Sequence, residues 1–429
     1  MKTAKQLVKD SKHFCILPWI HFHAWPDRKV MPCCIADSDM PVSEVRSDQS
    51  ILEMMNSEDY KDMRLKMLAD EPVEACNRCY ELENDGTWTL RQSQNAVRGM
   101  ESEDLIECTN LDGSIDEFQM KYMDIRFSNL CNYKCRSCGP ECSNLHGEEE
   151  IKLVGLDEFE RRFNRTETLV NCNDDGVLMD QLQDYLGDVQ ECYFAGGEIL
   201  VTKEHYQCLK YWIDNDMAKD VKLNYTTNMS VVTYKDKNNK DQSLFDLWKH
   251  FPHIEMWASI DAIEEQGEII RKGFKWAKVK QNLLDIREHA SHIKLGITPT
   301  ISIWNVFVYS KMFDWMYDNG FISTHNPPRV NVLTYPDNAS IKILPENMRV
   351  RLIREFKHYI AKFSENDDDV HIKNGWKVLI QTLWEGRDDR GRLLDFFEIT
   401  DEKDRVRDEE LVTVVPELLE VREWANRKE

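Results

Sequence analysis

Three cysteines in the run Asn129-Leu130-Cys131-Asn132-Tyr133-Lys134-Cys135-Arg136-Ser137-Cys138-Gly139 constrain this chain more than any other feature. The spacing is C-x3-C-x2-C, and chance would place such a run in about one in a hundred chains of this cysteine content. A strand is expected over Lys121–Phe127, so the run follows the C-terminal end of a strand. That is the end at which barrel enzymes build their active sites. Three thiolates on one loop can wrap a cubane iron–sulfur cluster and leave one iron without a protein ligand, open to a substrate. The residues also allow zinc: Cys135 and Cys138 form a C-x2-C knuckle, with Cys142 in reach as a further ligand.

A second set lies nearer the N-terminus. Cys15, the pair Cys33-Cys34, and the C-x2-C of Cys76 and Cys79 supply four thiolates, a complete shell for zinc or for a second cluster. The chain has 13 cysteines, an odd number. The early apolar run Phe14–Ile20 is short, is broken by Pro18, leads into His21 and His23, and lacks a small-residue cleavage site. We therefore expect no signal peptide, a reducing cytoplasm, and metal ligation rather than disulfides. Cys108, Cys142, Cys172, Cys192 and Cys208 lack ligand spacing, and Cys192 is expected as a small core residue. His21, His23 and His205 are polar neighbours of these motifs, and none is assigned as acid or base.

From about 119 to 335 strand-like runs alternate with helical ones. The strands expected are Lys121–Phe127, Glu191–Ala195, Lys222–Thr227, Ile254–Ile260, Ile293–Ile303 and Arg329–Tyr335. Helices are expected over Lys203–Ile213, Lys278–Ala290 and Val306–Tyr317. Such alternation implies right-handed βαβ units and a parallel sheet or barrel, an α/β fold. The tail should be helical over Pro345–Phe363, Gly375–Trp384 and after Pro416. The polar stretches Gly147–Asp157, Lys235–Ser243 and Ser364–Asp369 suit loops or exposed helix starts. Residues 1–115, 116–337 and 338–429 thus divide into a cysteine-rich domain, an α/β core and a helical extension. With 77 acidic against 55 basic residues the net charge is −22, which argues against nucleic-acid partners. No apolar run reaches the length of a membrane span.

The triplet and the strand ends that follow it resemble the radical SAM superfamily. Ala195-Gly196-Gly197-Glu198 is similar to the family's GGE motif, Tyr225-Thr226-Thr227-Asn228 to its ribose-contacting segment, and Ser259-Ile260-Asp261 with Arg271 to its S-x-D…R arrangement. The resemblance implies a partial (β/α)6 TIM-like barrel in which Cys131, Cys135 and Cys138 hold a [4Fe–4S] cluster. S-adenosylmethionine would chelate the open iron, contacted by Gly196, Gly197, Glu198, Asn228, Ser259, Asp261 and Arg271, the last pairing with its carboxylate. Reductive cleavage would give a 5′-deoxyadenosyl radical that abstracts hydrogen from a substrate, with a low-potential donor supplying the electron. Two positions depart from the pattern: Ser137 stands where a bulky residue usually packs on the adenine, and Ile199 where proline usually follows GGE.

The N-terminal set resembles a twitch domain, a short relative of SPASM, placed before the barrel. That resemblance implies an auxiliary iron–sulfur cluster on Cys15, Cys33, Cys76 and Cys79, with Cys34 as the rival for Cys33 and zinc as the alternative metal. Relatives act on peptides, proteins, sugars and other small molecules, and the expectation here leans to a peptide or protein substrate. The competing expectation is a zinc-bound, non-catalytic binding or scaffold protein on a degenerate radical SAM fold.

Overall fold

The computed structural model describes residues 2–235, 240–363 and 370–427. The polar stretch Ser364–Asp369 lies outside them, as do residues 236–239 of Lys235–Ser243. In chain order the strands are β1 (His21–Ala24), β2 (Lys29–Met31), β3 (Ser43–Glu44), β4 (Tyr122–Ile125), β5 (Lys134–Cys135), β6 (Glu191–Phe194) and β7 (Lys222–Thr227). They continue as β8 (Thr233–Lys235), β9 (Asp241–Ser243), β10 (Ile254–Ala258), β11 (Arg271–Lys272), β12 (Lys294–Ile297), β13 (Thr300–Ile301) and β14 (Asn331–Val332). The chain forms two compact units: Met1–Leu130 with Leu169–Tyr225 and Asp246–Ile254, and Cys131–Thr168 with Thr226–Phe245 and Glu255–Glu429.

In the first unit β1, β4, β6 and β7 run parallel, with His21 paired to Tyr122, Tyr122 to Glu191 and Glu191 to Lys222. β2 and β3 extend β1 antiparallel. Alternation sets the faces: along β6 and β7, Cys192, Phe194, Leu223 and Tyr225 are buried, while Glu191, Tyr193 and Asn224 are partly open. Helix Lys203–Asp214 covers the apolar face. Its His205 lies edge-on to Phe194 at 4.8 Å and makes a 3.0 Å hydrogen bond from Nε2 to the Tyr225 hydroxyl. His205 is fully buried and its pKa is pushed down to about 3 by burial, so it serves as a neutral core residue. β1 was not expected from the sequence, because HFHA is only four residues long, too short a run to show a period, and all four are buried.

In the second unit β10 pairs parallel with β12, β13 parallel with β14, and β5 antiparallel with β11. The single strand expected over Ile293–Ile303 divides into β12 and β13 around Pro299, which has no N–H to donate to a ladder. Gly147–Asp157 falls in helices Asn144–Val154 and Leu156–Phe163, the first capped by Ser143. The tail helices Glu346–Lys362 and Val370–Trp384 pack through Trp376, stacked on Tyr359 at 4.4 Å and edge-on to Phe313 at 4.8 Å. A further helix, Arg390–Arg407, is the longest among the described residues, with 18 residues, and the sequence did not single it out. No helix among the described residues is long and apolar enough to cross a membrane.

Candidate metal centres

The N-terminal thiols belong to the first unit and sit at element ends. Cys15 precedes the short helix Leu17–Ile20, Cys33 and Cys34 follow β2, Cys76 closes a 3-10 turn, and Cys79 lies on helix Asn77–Asn84. Asn95 Nδ2 and Arg91 Nη1 both donate to Phe14 O, at 2.9 and 2.7 Å, and Ile16 N donates to Asn95 Oδ1 at 2.9 Å. These bonds clamp the backbone on both sides of Cys15. Burial, followed by the neighbouring Cys76 and Cys79, pushes the Cys15 thiol far above its ordinary value. Cys33 is raised by burial, then by Cys34, Cys15 and Cys76, and Cys76 is pushed up to about 12 by burial and Cys79.

Cys15, Cys33, Cys76 and Cys79 are thus electrostatic neighbours, four buried or half-buried thiols that deter one another's ionisation. A metal that binds them displaces their protons and removes that mutual penalty. Cys34 has a different environment. It is pushed up to about 12 by burial and then by the charge of Asp124, with Arg126 opposing, so the two adjacent cysteines face different groups.

The triplet lies in the second unit. Cys131 N donates to Asn144 Oδ1 at 2.9 Å, and Ser143 Oγ donates to Tyr133 O at 2.6 Å, which fastens the loop to the start of helix Asn144–Val154. Cys135 pairs with Arg271 across β5 and β11, and Cys138 N closes a turn onto Cys135 O at 3.1 Å. Arg271 donates from Nε to Asp261 Oδ2 at 2.7 Å and from Nη1 toward Cys135 Sγ at 3.7 Å. Burial works against the guanidinium's charge, but Asp261 and Cys135 outweigh it and keep Arg271 protonated. Cys138 is raised chiefly by a hydrogen bond with Cys142, then by burial and the charges of Cys142, Cys135 and Cys131. Asn228 Nδ2 donates to Asn132 Oδ1 at 2.9 Å, inside the triplet, and Ser259 N donates to Thr227 O at 2.8 Å. One unit therefore gathers Cys131, Cys135, Cys138, Asn228, Ser259, Asp261 and Arg271.

Gly196, Gly197 and Glu198 belong to the first unit, at the end of β6. Gly196 has φ +129, a backbone that side chains resist. A Cβ at Gly197 would lie 2.3 Å from Leu130 O, so only glycine fits. Glu198 N donates to that same carbonyl at 2.7 Å, pinning the turn to the residue before Cys131. Glu198 Oε1 in turn accepts from Leu200 N at 3.1 Å, and Ile199, buried in the place of the family's proline, starts a 3-10 turn there.

His21 and His23, polar neighbours of the motifs in the sequence, join a buried polar cluster in the first unit. His23 on β1 donates from Nδ1 to Asp124 O on β4 at 2.6 Å and accepts from Trp25 Nε1 at 2.9 Å. Arg126 lies 3.7 Å from Asp124 and its guanidinium covers the Trp25 ring at 4.9 Å.

Among the described residues no three His, Cys, Asp or Glu side chains converge as a site for a single metal ion. A cubane cluster takes one thiolate at each of several separate irons, so its ligands need not meet at a point. The all-thiol donor sets of three and four fit that requirement.

Comparison with known families finds a match over the N-terminal cysteines. Residues 15–80 match the SPASM family, described as an iron–sulfur cluster-binding domain. The SPASM span starts at Cys15 and ends one residue after Cys79, so it encloses all four assigned thiols and Cys34. Among curated proteins none matches the chain. Solved structures that resemble it include anSMEcpe with bound AdoMet and Cp18Cys peptide, at 14% identity, 56% of this chain, 59% of that one and a TM-score of 0.36. Another is Streptococcus suis SuiB bound to S-adenosylmethionine, at 14% identity, 66% of this chain, 57% of that one and a TM-score of 0.37. The chain spans less than three fifths of the length of either.

Proposed function

We propose that the chain is a radical SAM enzyme with an auxiliary iron–sulfur cluster in its SPASM segment. The observation that carries this is the join between the triplet and Arg271: β11 pairs Arg271 with Cys135, and the same guanidinium bonds Asp261. The bound cluster would supply one electron to the sulfonium of S-adenosylmethionine, giving a 5′-deoxyadenosyl radical that takes hydrogen from the substrate.

In this proposal Cys131, Cys135 and Cys138 hold the cluster. Arg271 donates toward Cys135 Sγ, which favours the thiolate over the thiol, and Asp261 aims the guanidinium by taking its Nε. Burial of Cys135 and Arg271 keeps water from the contact between that thiol and the guanidinium. Asn228, tied to Asn132, would present its amide to the ribose. Gly196 and Gly197 would offer backbone at close approach, and Glu198 a carboxylate to the ammonium of the methionine portion. Cys15, Cys33, Cys76 and Cys79 would hold the second cluster. Four protein thiolates leave no open iron, so this centre is assigned to electron transfer or substrate positioning.

The substrate class we assign is a peptide or protein, and a net charge of −22 favours a basic segment over a polyanion. A low-potential donor and a cytoplasmic setting complete the proposal, with residues 1–115, 116–337 and 338–429 as auxiliary domain, core and extension. The test is anaerobic reconstitution with iron and sulfide, reduction by dithionite, addition of S-adenosylmethionine, and assay for 5′-deoxyadenosine. About eight irons per chain with product formed supports two cubane clusters and radical chemistry. Zinc in place of iron, with S-adenosylmethionine intact, would return the chain to the scaffold alternative.

A further inference from the structure

The proposed chemistry leaves unused a set of charges that surrounds the triplet in the second unit. Arg136 stands between Cys135 and Cys138 and is only 2% exposed. Its backbone N donates to Ile270 O at 2.9 Å and its Nε to Ile269 O at 3.1 Å. Its Nη2 donates to the carboxylates of Asp404 and Glu409, both in the C-terminal extension. Lys272, next to Arg271 in β11, bonds Glu409 Oε1 at 2.6 Å and Arg407 O at 3.3 Å. Arg407 donates to Lys134 O in β5 at 3.0 Å and holds Glu149 through two bonds of 2.8 and 2.6 Å. Both strands of the ladder that carries Cys135 and Arg271 are therefore fastened to residues 404–409.

The fastening is rigid at the tail end as well. Asp404 Oδ2 accepts from Leu411 N at 2.8 Å, and Glu409 N donates to Asp404 O at 3.0 Å, so the turn after helix Arg390–Arg407 fixes the Asp404 carboxylate before it meets Arg136. A buried guanidinium needs a compensating anion. Asp404 and Glu409 are the acids that bond Arg136 among the described residues, and Ile269 offers it only a neutral carbonyl.

We propose that Asp404 and Glu409 are positioning residues for the cysteine loop: acting through Arg136, they hold the backbone from Cys135 to Cys138 in the spacing that a cluster requires. The inference rests on the triplet being a cluster loop. It adds that the loop's geometry is completed by the C-terminal extension, not by the α/β core alone.

The experiment compares the full chain with the Asp404→Asn/Glu409→Gln double variant, which keeps shape and removes charge, and with Asp404→Glu as the conservative variant. Amide hydrogen exchange of residues 134–138 is measured in the metal-free chains, with β6 and β7 as internal reference. We expect exchange in 134–138 to rise at least about tenfold in the double variant, to stay near the parent in Asp404→Glu, and to be unchanged in the reference strands. After anaerobic reconstitution, the reduced cluster's electron paramagnetic resonance spectrum and its response to S-adenosylmethionine should be altered in the double variant at equal iron content. Its midpoint potential should rise, because Arg136 is left with uncompensated positive charge. Equal exchange in parent and double variant would overturn the proposal. So would a uniform rise across reference strands and loop, which would mark a merely structural role. Failure of the parent to show any reduced-cluster spectrum would count against the radical SAM proposal, while the exchange result would still decide whether the tail holds the loop.

Discussion

His23 and Asp124 face each other across one rung of the parallel β1–β4 pair, with His23 Nδ1 2.6 Å from the Asp124 carbonyl oxygen and 3.4 Å from its carboxylate. An indole N–H can only donate, so the bond from Trp25 makes His23 Nε2 an acceptor and leaves the imidazole proton on Nδ1. One rung earlier His21 Nδ1 bonds Tyr122 O at 2.9 Å, and its Nε2 is buried with no hydrogen-bond partner among the described residues. Burial works to raise the Asp124 carboxyl, but the His23 ring and Arg126 outweigh it and hold it below the usual carboxylate range.

The first prediction concerns pH. Burial, then His23, lowers His21 from 6.5 to about 4. Between those values the unfolded chain binds more protons than the folded one, so stability falls as pH drops from 6.5 to 4 and is full above 6.5. The shift corresponds to about 3 kcal/mol. Asp124, held low, continues the same loss below pH about 4. Thermal or denaturant midpoints taken at steps from pH 7.5 to 4.5 should show this slope, and His21→Gln should flatten it. An unchanged slope in the variant would place the titration elsewhere.

The second separates the adjacent cysteines. Cys33 shares an electrostatic environment with Cys15 and Cys76, whereas Cys34 faces Asp124. Cys33→Ala should lower reconstituted iron from about eight to about four per chain, and Cys34→Ala should leave it unchanged. The reverse pattern would exchange the two assignments.

Gly197 gives a third. A methyl group there meets the Leu130 carbonyl, which is backbone and cannot rotate away. Gly197→Ala should cost about 1–3 kcal/mol, visible in the thermal midpoint, and should weaken binding of S-adenosylmethionine as measured by equilibrium dialysis.

The buried pair Arg271–Asp261 gives a fourth. Removing the guanidinium strands a carboxylate that is 1% exposed, so Arg271→Ala should cost about 3–5 kcal/mol. Asp261→Asn together with Arg271→Met should cost less than the sum of the two single changes, because no lone charge remains. Denaturant unfolding of the four chains closes the cycle, and simple additivity would contradict the coupling.

The strands that lead into the candidate site were legible because period-two alternation and glycine turns are local signals. β7 spans Lys222–Thr227 as expected, and β6 ends one residue early, at Phe194. β1 was not legible, because its four residues are too few to show a period, and its partner Tyr122 lies 101 residues away. Helix Arg390–Arg407 was missed for a different reason. Its buried side includes Lys403, Asp404 and Arg407 beside Leu393, Phe396 and Phe397, so charged residues occupy positions where an apolar stripe would be sought. Their burial depends on Arg136 and Glu149, more than 250 residues upstream, and no window along the chain contains both partners. The choice between Cys33 and Cys34 was open in the sequence for the same reason, since the group that tells their surroundings apart, Asp124, lies on β4.

The bond from Arg136 to Asp404 also sets an order of events during synthesis. Its partners are separated by 268 residues, and Glu409 by 273. At 5–20 residues per second the ribosome delivers the acids roughly 15–50 seconds after the cysteine loop. For that interval the loop exists with Arg136 uncompensated and its ladder unfastened. A nascent chain stalled before residue 404 should therefore present the three thiols without the acids that fasten their loop.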